Sequence, residues 1–199
     1  MKTMSGFTIV ELLIVVTVMG ILGAVVFVAF NGVQDGARAT KVISAVDMIE
    51  KGLRMYVAEH GHYPIPTDIT TPHNNTFLCV QPTSGGWPLA DNLSASQCSS
   101  PSSDPDASQY AYSQAVITAL KTKLGSIPDT SDIVISDGGH SLRGVMYTYM
   151  SGPVAELGYP QGLAYLMYYM RGEQTCGRGV GGVDTFGSLT ATLCMITLD

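Results

Sequence analysis

Positive charge is scarce in this chain of 199 residues, where ten Lys and Arg stand against sixteen Asp and Glu for a formal net charge of −6 at pH 7. Proteins that hold nucleic acid draw on a basic surplus to displace counterions from phosphate, so no stable nucleic-acid partner is expected. Recognisable catalytic signatures are missing as well. No Ser lies in G-x-S-x-G, and no Cys has a nearby base in a known motif. "GRGVGG" satisfies G-x-G-x-x-G at Gly177, Gly179 and Gly182, but no helical pattern follows it, so it reads as a flexible loop and not a phosphate cradle. His60 and His62 flank one glycine at a helix end and read as solvated surface groups. Asp104 and Asp106 lack the EF-hand spacing, its central glycine and its closing glutamate, and the cysteine spacings are too long and poor in His for zinc. The chain is therefore read as no enzyme, with no cofactor and no metal.

Charge is scarcest of all near the N-terminus, where the 24 residues from Phe7 to Phe30 carry one ionisable side chain, Glu11. At about 1.5 Å per residue that run makes a helix of roughly 36 Å, enough to cross a hydrocarbon core of about 30 Å. The preceding "MKTMSG" is short and basic through Lys2, and its small residues Ser5 and Gly6 come before the apolar run. A secretory signal has the opposite order, with the cleavage site after the apolar stretch. Cutting after Gly6 leaves the apolar segment on the mature protein, and Lys2 favours a cytoplasmic N-terminus. It also creates an α-amine at Phe7, one helical turn before Glu11 and near enough for a charge pair. An unpaired acid at the centre of a membrane helix costs about 2.5–3.5 kcal/mol, so Glu11 marks a functional position.

"GFTIVELLIVVTVMGILGAV" resembles the class III leader and N-terminal helix of type IV pilins and their pseudopilin relatives, closely over about the first 35 residues. The resemblance implies a prepilin peptidase that cleaves between Gly6 and Phe7 and N-methylates Phe7. It also implies a helical filament of identical subunits in which Glu11 of one copy neutralises the Phe7 amine of a neighbour and sets axial register. A buried acid and a buried amine lower each other's desolvation cost only when paired, so correct docking is the cheap state. Gly20 and Gly23 are expected to loosen the helix, at about 1 kcal/mol each relative to Ala. The family commonly has a proline eight residues after the position of Gly20, and this chain has Val28 there.

Beyond Phe30 the pattern becomes amphipathic, with Val42, Val46, Ile49, Leu53 and Tyr56 forming a stripe and Lys41, Asp47, Glu50, Lys51 and Arg54 between them. The spacing predicts one helix to about His60, stopped by Gly61 and Pro64. Residues 61–106, rich in Pro, Ser, Thr, Asn and Asp, read as a long loop containing two sequons, Asn74 to Thr76 and Asn92 to Ser94. A second helix is expected near Ala107 to Leu124 with Gly125 as its stop. "DIVIS", "SLRGVMYTYM", "GLAYLMYYM" and "LTATLCMITL" then read as antiparallel strands. Tyr147, Tyr149, Tyr165, Tyr168 and Tyr169 admit two readings, cross-strand packing or an exposed adhesive face. Cys79, Cys98, Cys176 and Cys194 all lie in the predicted exported part, so disulfides are expected. Of three possible connectivities, Cys79 with Cys98 and Cys176 with Cys194 is preferred, because both close short local loops. The second pair also resembles the C-terminal disulfide loop of many pilins.

The expected architecture is thus the α+β type IV pilin fold, a long helix packed on an antiparallel sheet. Its parts are a leader (1–6), a hydrophobic transmembrane or filament-core helix (7–30), the amphipathic half of that helix (31–60), the loop (61–106), and the second helix and sheet (107–199). The function this implies is a structural subunit of a surface pilus for adhesion, twitching motility or DNA uptake. Its partners would be further copies, the prepilin peptidase, the pilus assembly machinery of the cytoplasmic membrane, and the lipid bilayer before assembly. A type II secretion pseudopilin and, from another class, a signal-anchored extracellular binding protein are the alternatives.

Overall fold

A computed structural model describes residues 8–67, 76–81, 98, 112–130, 134–137, 140–149, 164–186 and 189–198. The chain divides into two compact units, residues 1–37 and 38–199, and helix α1 (Ile9–His60) runs through both.

In the first unit the early part of α1 has apolar residues on every side and one charge, Glu11. The window Ile9–Val26 has a mean hydropathy of 2.7, and none of it is buried. A helix hydrophobic all round has no single face to lay on a core, which is the pattern of a segment made for an apolar surrounding. The helix continues through Gly20, Gly23 and Val28 without a break. A Cβ placed on either glycine would meet nothing within 4 Å.

In the second unit the predicted stripe is the core-facing edge of α1: Val42, Val46, Ile49 and Leu53 are all buried. They join one cluster with α2 (Gln114–Leu124), through Val116, Ile117 and Leu120, and with the sheet, through Leu78, Val80, Tyr147, Leu166, Tyr168 and Ile196. Gly61, at φ +75°, ends α1 by donating its N–H to the Val57 carbonyl at 2.7 Å, the left-handed stop that glycine adopts without a Cβ penalty. The α2 helix begins later than the sequence predicts, because Ser113 takes an extended conformation and its Oγ accepts the Val116 N–H at 3.2 Å. A capping serine fixes where a helix starts more firmly than its apolar periodicity does.

The main sheet has five antiparallel strands in the order β1 (Thr76–Val80), β4 (Val145–Tyr149), β5 (Ala164–Arg171), β7 (Leu189–Leu198), β6 (Val180–Phe186). Leu78, Tyr147, Leu166 and Ile196 stand opposite one another across four of them, on the face that meets the helices. The next row, Cys79, Met146 and Met167, points to the other face and a smaller cluster with Cys98, Phe77 and Tyr169. A separate hairpin pairs β2 (Val134–Asp137) with β3 (His140–Arg143).

Three further expectations are corrected. The stretch expected as an unbroken loop, 61–106, contains β1, whose five residues are too short a run to stand out among the turn-formers beside it. "SLRGVMYTYM" is two strands in two sheets, separated at Gly144, which has φ +71°. "GRGVGG" is not a loop throughout, since Gly181 and Gly182 lie in the edge strand β6. Glycine weakens strand propensity and so hides the strand, yet Gly181 is needed there: a Cβ would come within 2.3 Å of the Cys176 sulfur and of the Leu193 carbonyl oxygen. The tyrosines resolve in favour of packing, because Tyr147, Tyr165 and Tyr168 are buried and Tyr149 and Tyr169 half-buried.

Candidate functional site

Gly6 and Phe7, the expected cleavage pair, lie outside the described residues. Glu11 is described, and it is not solitary. Its carboxylate Oε2 accepts the Thr8 backbone N–H at 3.2 Å and the Thr8 hydroxyl at 3.1 Å, while the Glu11 N–H donates to Thr8 Oγ1 at 3.3 Å. This is a capping box, in which two first-turn donors that have no intrahelical partner are satisfied reciprocally. The carboxylate also sits where the helix dipole favours negative charge. Sequence reasoning gave Glu11 the Phe7 amine as its partner and passed over Thr8, although the T-x-x-E spacing was there to be read. The carboxylate is thereby held at the N-terminal end of an exposed apolar helix, with its outer side at the surface.

A second arrangement of charge lies in the other unit. Glu50, expected among the solvated positions of α1, is 3% exposed. Its Oε1 accepts one N–H from Arg54, one turn along α1, and one from Arg178, each at 2.8 Å. Arg178 stands between Cys176 and the edge strand β6, in a segment fastened three times over. The Cys176–Cys194 disulfide ties its start to β7. Tyr168 on β5 donates its hydroxyl to the Arg178 carbonyl at 3.0 Å. A Cβ on Gly177 would fall 2.6 Å from the Ile43 side chain, so the backbone lies close against α1. Burial raises the Tyr168 pKa, which keeps that hydroxyl a donor at neutral pH. Glu50 was missed because i, i+4 pairing with Arg54 looks like any exposed helix pair; its burial depends on a residue from the far end of the chain.

The other sequence candidates are quickly placed. The four cysteines form the two local disulfides, Cys79–Cys98 and Cys176–Cys194. His60 stacks on Tyr56 with ring centroids 4.0 Å apart, and its Nδ1 lies 3.0 Å from the Tyr56 carbonyl, which caps the end of α1. Among the described residues no three His, Cys, Asp or Glu side chains are grouped as metal ligands. Asp104, Asp106, Asn74 and Asn92 lie outside them.

Among the described residues one helix is long and apolar enough to cross a membrane, and it leads into an α+β head. Residues 1–27 match the family described as the prokaryotic N-terminal methylation motif. The chain is 35% identical over 63 residues to type II secretion system core protein G of Klebsiella michiganensis, covering 32% of this chain and 44% of that protein. It is 30% identical over 87 residues to core protein G of Aeromonas hydrophila, covering 44% and 57%. To that of Escherichia coli it is 32% identical over 59 residues, covering 30% and 41%. The chain spans about half the length of the curated relatives it matches, and no solved structure matches it. In its leader motif, its partial homology to protein G and its α+β fold, the chain is similar to proteins of the pilin superfamily.

Proposed function

We propose that this protein is a pseudopilin-type structural subunit, anchored in the cytoplasmic membrane and then stacked into a helical filament of a type II secretion system. The observation that carries this reading is the exposed helix Ile9–Val26, apolar all round, with a single carboxylate held at its N-terminal end. Such a segment suits two successive apolar surroundings, first lipid and then the helices of other copies. The named relatives support the secretion filament over the surface pilus, and no comparison speaks for adhesion or twitching. The long C-terminal region with its disulfide loop favours the surface pilus as the second reading.

On this proposal the prepilin peptidase cuts between Gly6 and Phe7 and methylates the new amine. Glu11 then exchanges its hydrogen bonds from Thr8 for the Phe7 amine of the next copy. That exchange is favourable only in a docked filament, because the amine and the carboxylate offset each other's desolvation there. Gly20 and Gly23 mark where the helix gives most easily.

The test is the N-terminal mass of protein recovered from filaments, in wild-type cells and in a Glu11→Ala strain. A chain beginning at methylated Phe7, with the variant processed but poor in filaments, is expected; retention of Met1 together with normal assembly of the variant would sink the reading. Deletion of the gene then separates the two filaments. Loss of exoprotein release marks the secretion filament, and loss of surface fibres with release intact marks the pilus.

A further inference from the structure

Glu50, Arg54 and Arg178 form one wall of an open groove of about 520 Å³, completed by Asp47, Lys51, Met55 and Ala58. Two features set it apart from the surface around it. Three basic side chains line it against two acidic ones, on a chain whose net charge is −6. One of those two acids, Glu50, is buried and already engaged by both guanidiniums. Its Oε2 takes no hydrogen bond and is shut away from water, while the three cations still outnumber the two acids along the groove. Arg178 is 51% exposed and makes one N–H contact with Glu50, so about half of its side chain stays open to solvent. A guanidinium fork matches a carboxylate better than an ammonium does.

The groove is also shaped for a protein. Asp47, Lys51, Arg54, Met55 and Ala58 recur at helical spacing along the side of α1 that the core stripe leaves open. Met55 lies 43% exposed beside the cations, an adaptable apolar contact next to an anion site.

We propose that this groove receives an acidic side chain of a second copy of the chain, with Arg178 as the principal contact and Glu50 as the residue that positions it. The occupant follows from charge. A protein with sixteen acidic and ten basic residues has an excess of carboxylates to offer a second copy, and this groove is a place where basic groups outnumber acidic ones. Charge complementarity of this kind fixes register and rejects wrong partners more than it adds affinity. The proposal rests on the filament reading, which supplies neighbouring copies at high local concentration. In that setting the disulfide and Tyr168 hold Arg178 in place beforehand, so little ordering cost is left for docking.

The test places the photo-reactive residue p-benzoylphenylalanine at Met55 of the full-length chain in cells and identifies the adducts by mass spectrometry. A covalent dimer joined to an acidic segment of a second copy is expected, and Arg178→Glu should lower its yield about tenfold or more, the worth of roughly one reversed charge contact. Arg178→Lys, which keeps the charge and loses the fork, should fall between the two. An adduct to lipid or to another protein alone, no adduct, or a dimer insensitive to Arg178→Glu would each overturn the proposal. Both disulfides are checked by mobility without reductant, so that a misfolded variant is not counted. Filament yield in the same wild-type cells is scored separately. Filaments without the dimer reject the groove and leave the filament reading standing; a groove dimer without filaments does the reverse.

Discussion

Leu13 and Leu53 are the same residue on the same helix, yet Leu13 is 61% exposed and Leu53 is not exposed at all. Around Leu53 every turn of α1 offers one apolar stripe to the sheet and keeps its charges elsewhere; around Leu13 apolar residues occupy every face of the helix, Glu11 is the one charge, and no position is covered. The two parts of the helix therefore answer to different selection by solvent. The later part is a piece of a folded core, whose apolar area is removed from water by the chain itself. In the window Ile9–Val26 no side chain is buried, and on the proposed function its apolar area serves a lipid or another copy. Even the acids follow this division: Glu11 is held by its own first turn, and Glu50 by a residue from the opposite end of the sequence.

The sharpest way to break the comparison is to truncate both leucines. Leu53→Ala removes a fully buried side chain from the main cluster and should cost about 2–5 kcal/mol of head stability. Leu13→Ala should leave the unfolding midpoint of the head where it was and act only on membrane retention or assembly. Thermal unfolding of the full chain in mild detergent, followed by the sheet signal, checks both; equal shifts would mean that the two parts share one core.

That division was largely legible in the sequence, because periodicity and its absence are local properties. The stripe Val42, Val46, Ile49, Leu53 and the apolar run around Leu13 can both be read by counting residues. The end of α1 at Gly61 was legible for the same reason. What stayed hidden depends on distant parts of the chain. The Arg178 contact that buries Glu50 is 128 residues away, and no spacing rule reaches that far. The strand β6 was masked by its own glycines, of which Gly181 is required by the nearby Cys176 sulfur. The break at Gly144 depends on which sheet each half of the run joins, a matter of topology and not of composition.

The covalent links sharpen the comparison next. Both disulfides lie in the second unit, with sequence separations of 19 and 18. Loops of that size are worth about 3 kcal/mol each in the chain-entropy account. Replacing Cys176 and Cys194 together by Ser should lower the chemical-denaturation midpoint of the head by a corresponding amount and loosen the segment that carries Arg178. Protease cleavage near Arg178 is expected to accelerate while the N-terminal helix keeps its membrane retention. An unchanged cleavage rate would show that Tyr168 and the Ile43 contact hold the segment without the disulfide.

The smallest expected effect is one of pH, and it belongs to the head alone. Tyr147 is buried between sheet and helix and donates its hydroxyl to the Pro64 carbonyl at 2.9 Å. Burial, with smaller contributions from Tyr149, Tyr63 and Tyr56, holds its pKa well above the ordinary tyrosine value of 10.0. An unfolded tyrosine ionises near pH 10, so above that point the unfolded chain has released a proton that the folded head still holds. Stability contributed by the protonated form is full below about pH 10 and is lost as pH rises toward the folded value. Tyr147→Phe should cost about 1 kcal/mol at pH 7 through the lost hydrogen bond and should flatten the alkaline fall in midpoint above pH 10. Tyr168→Phe, at a residue whose pKa is raised less, should flatten it to a smaller degree. The comparison is broken if Tyr147→Phe leaves the alkaline slope intact, since the titrating group would then lie outside the buried face of the sheet.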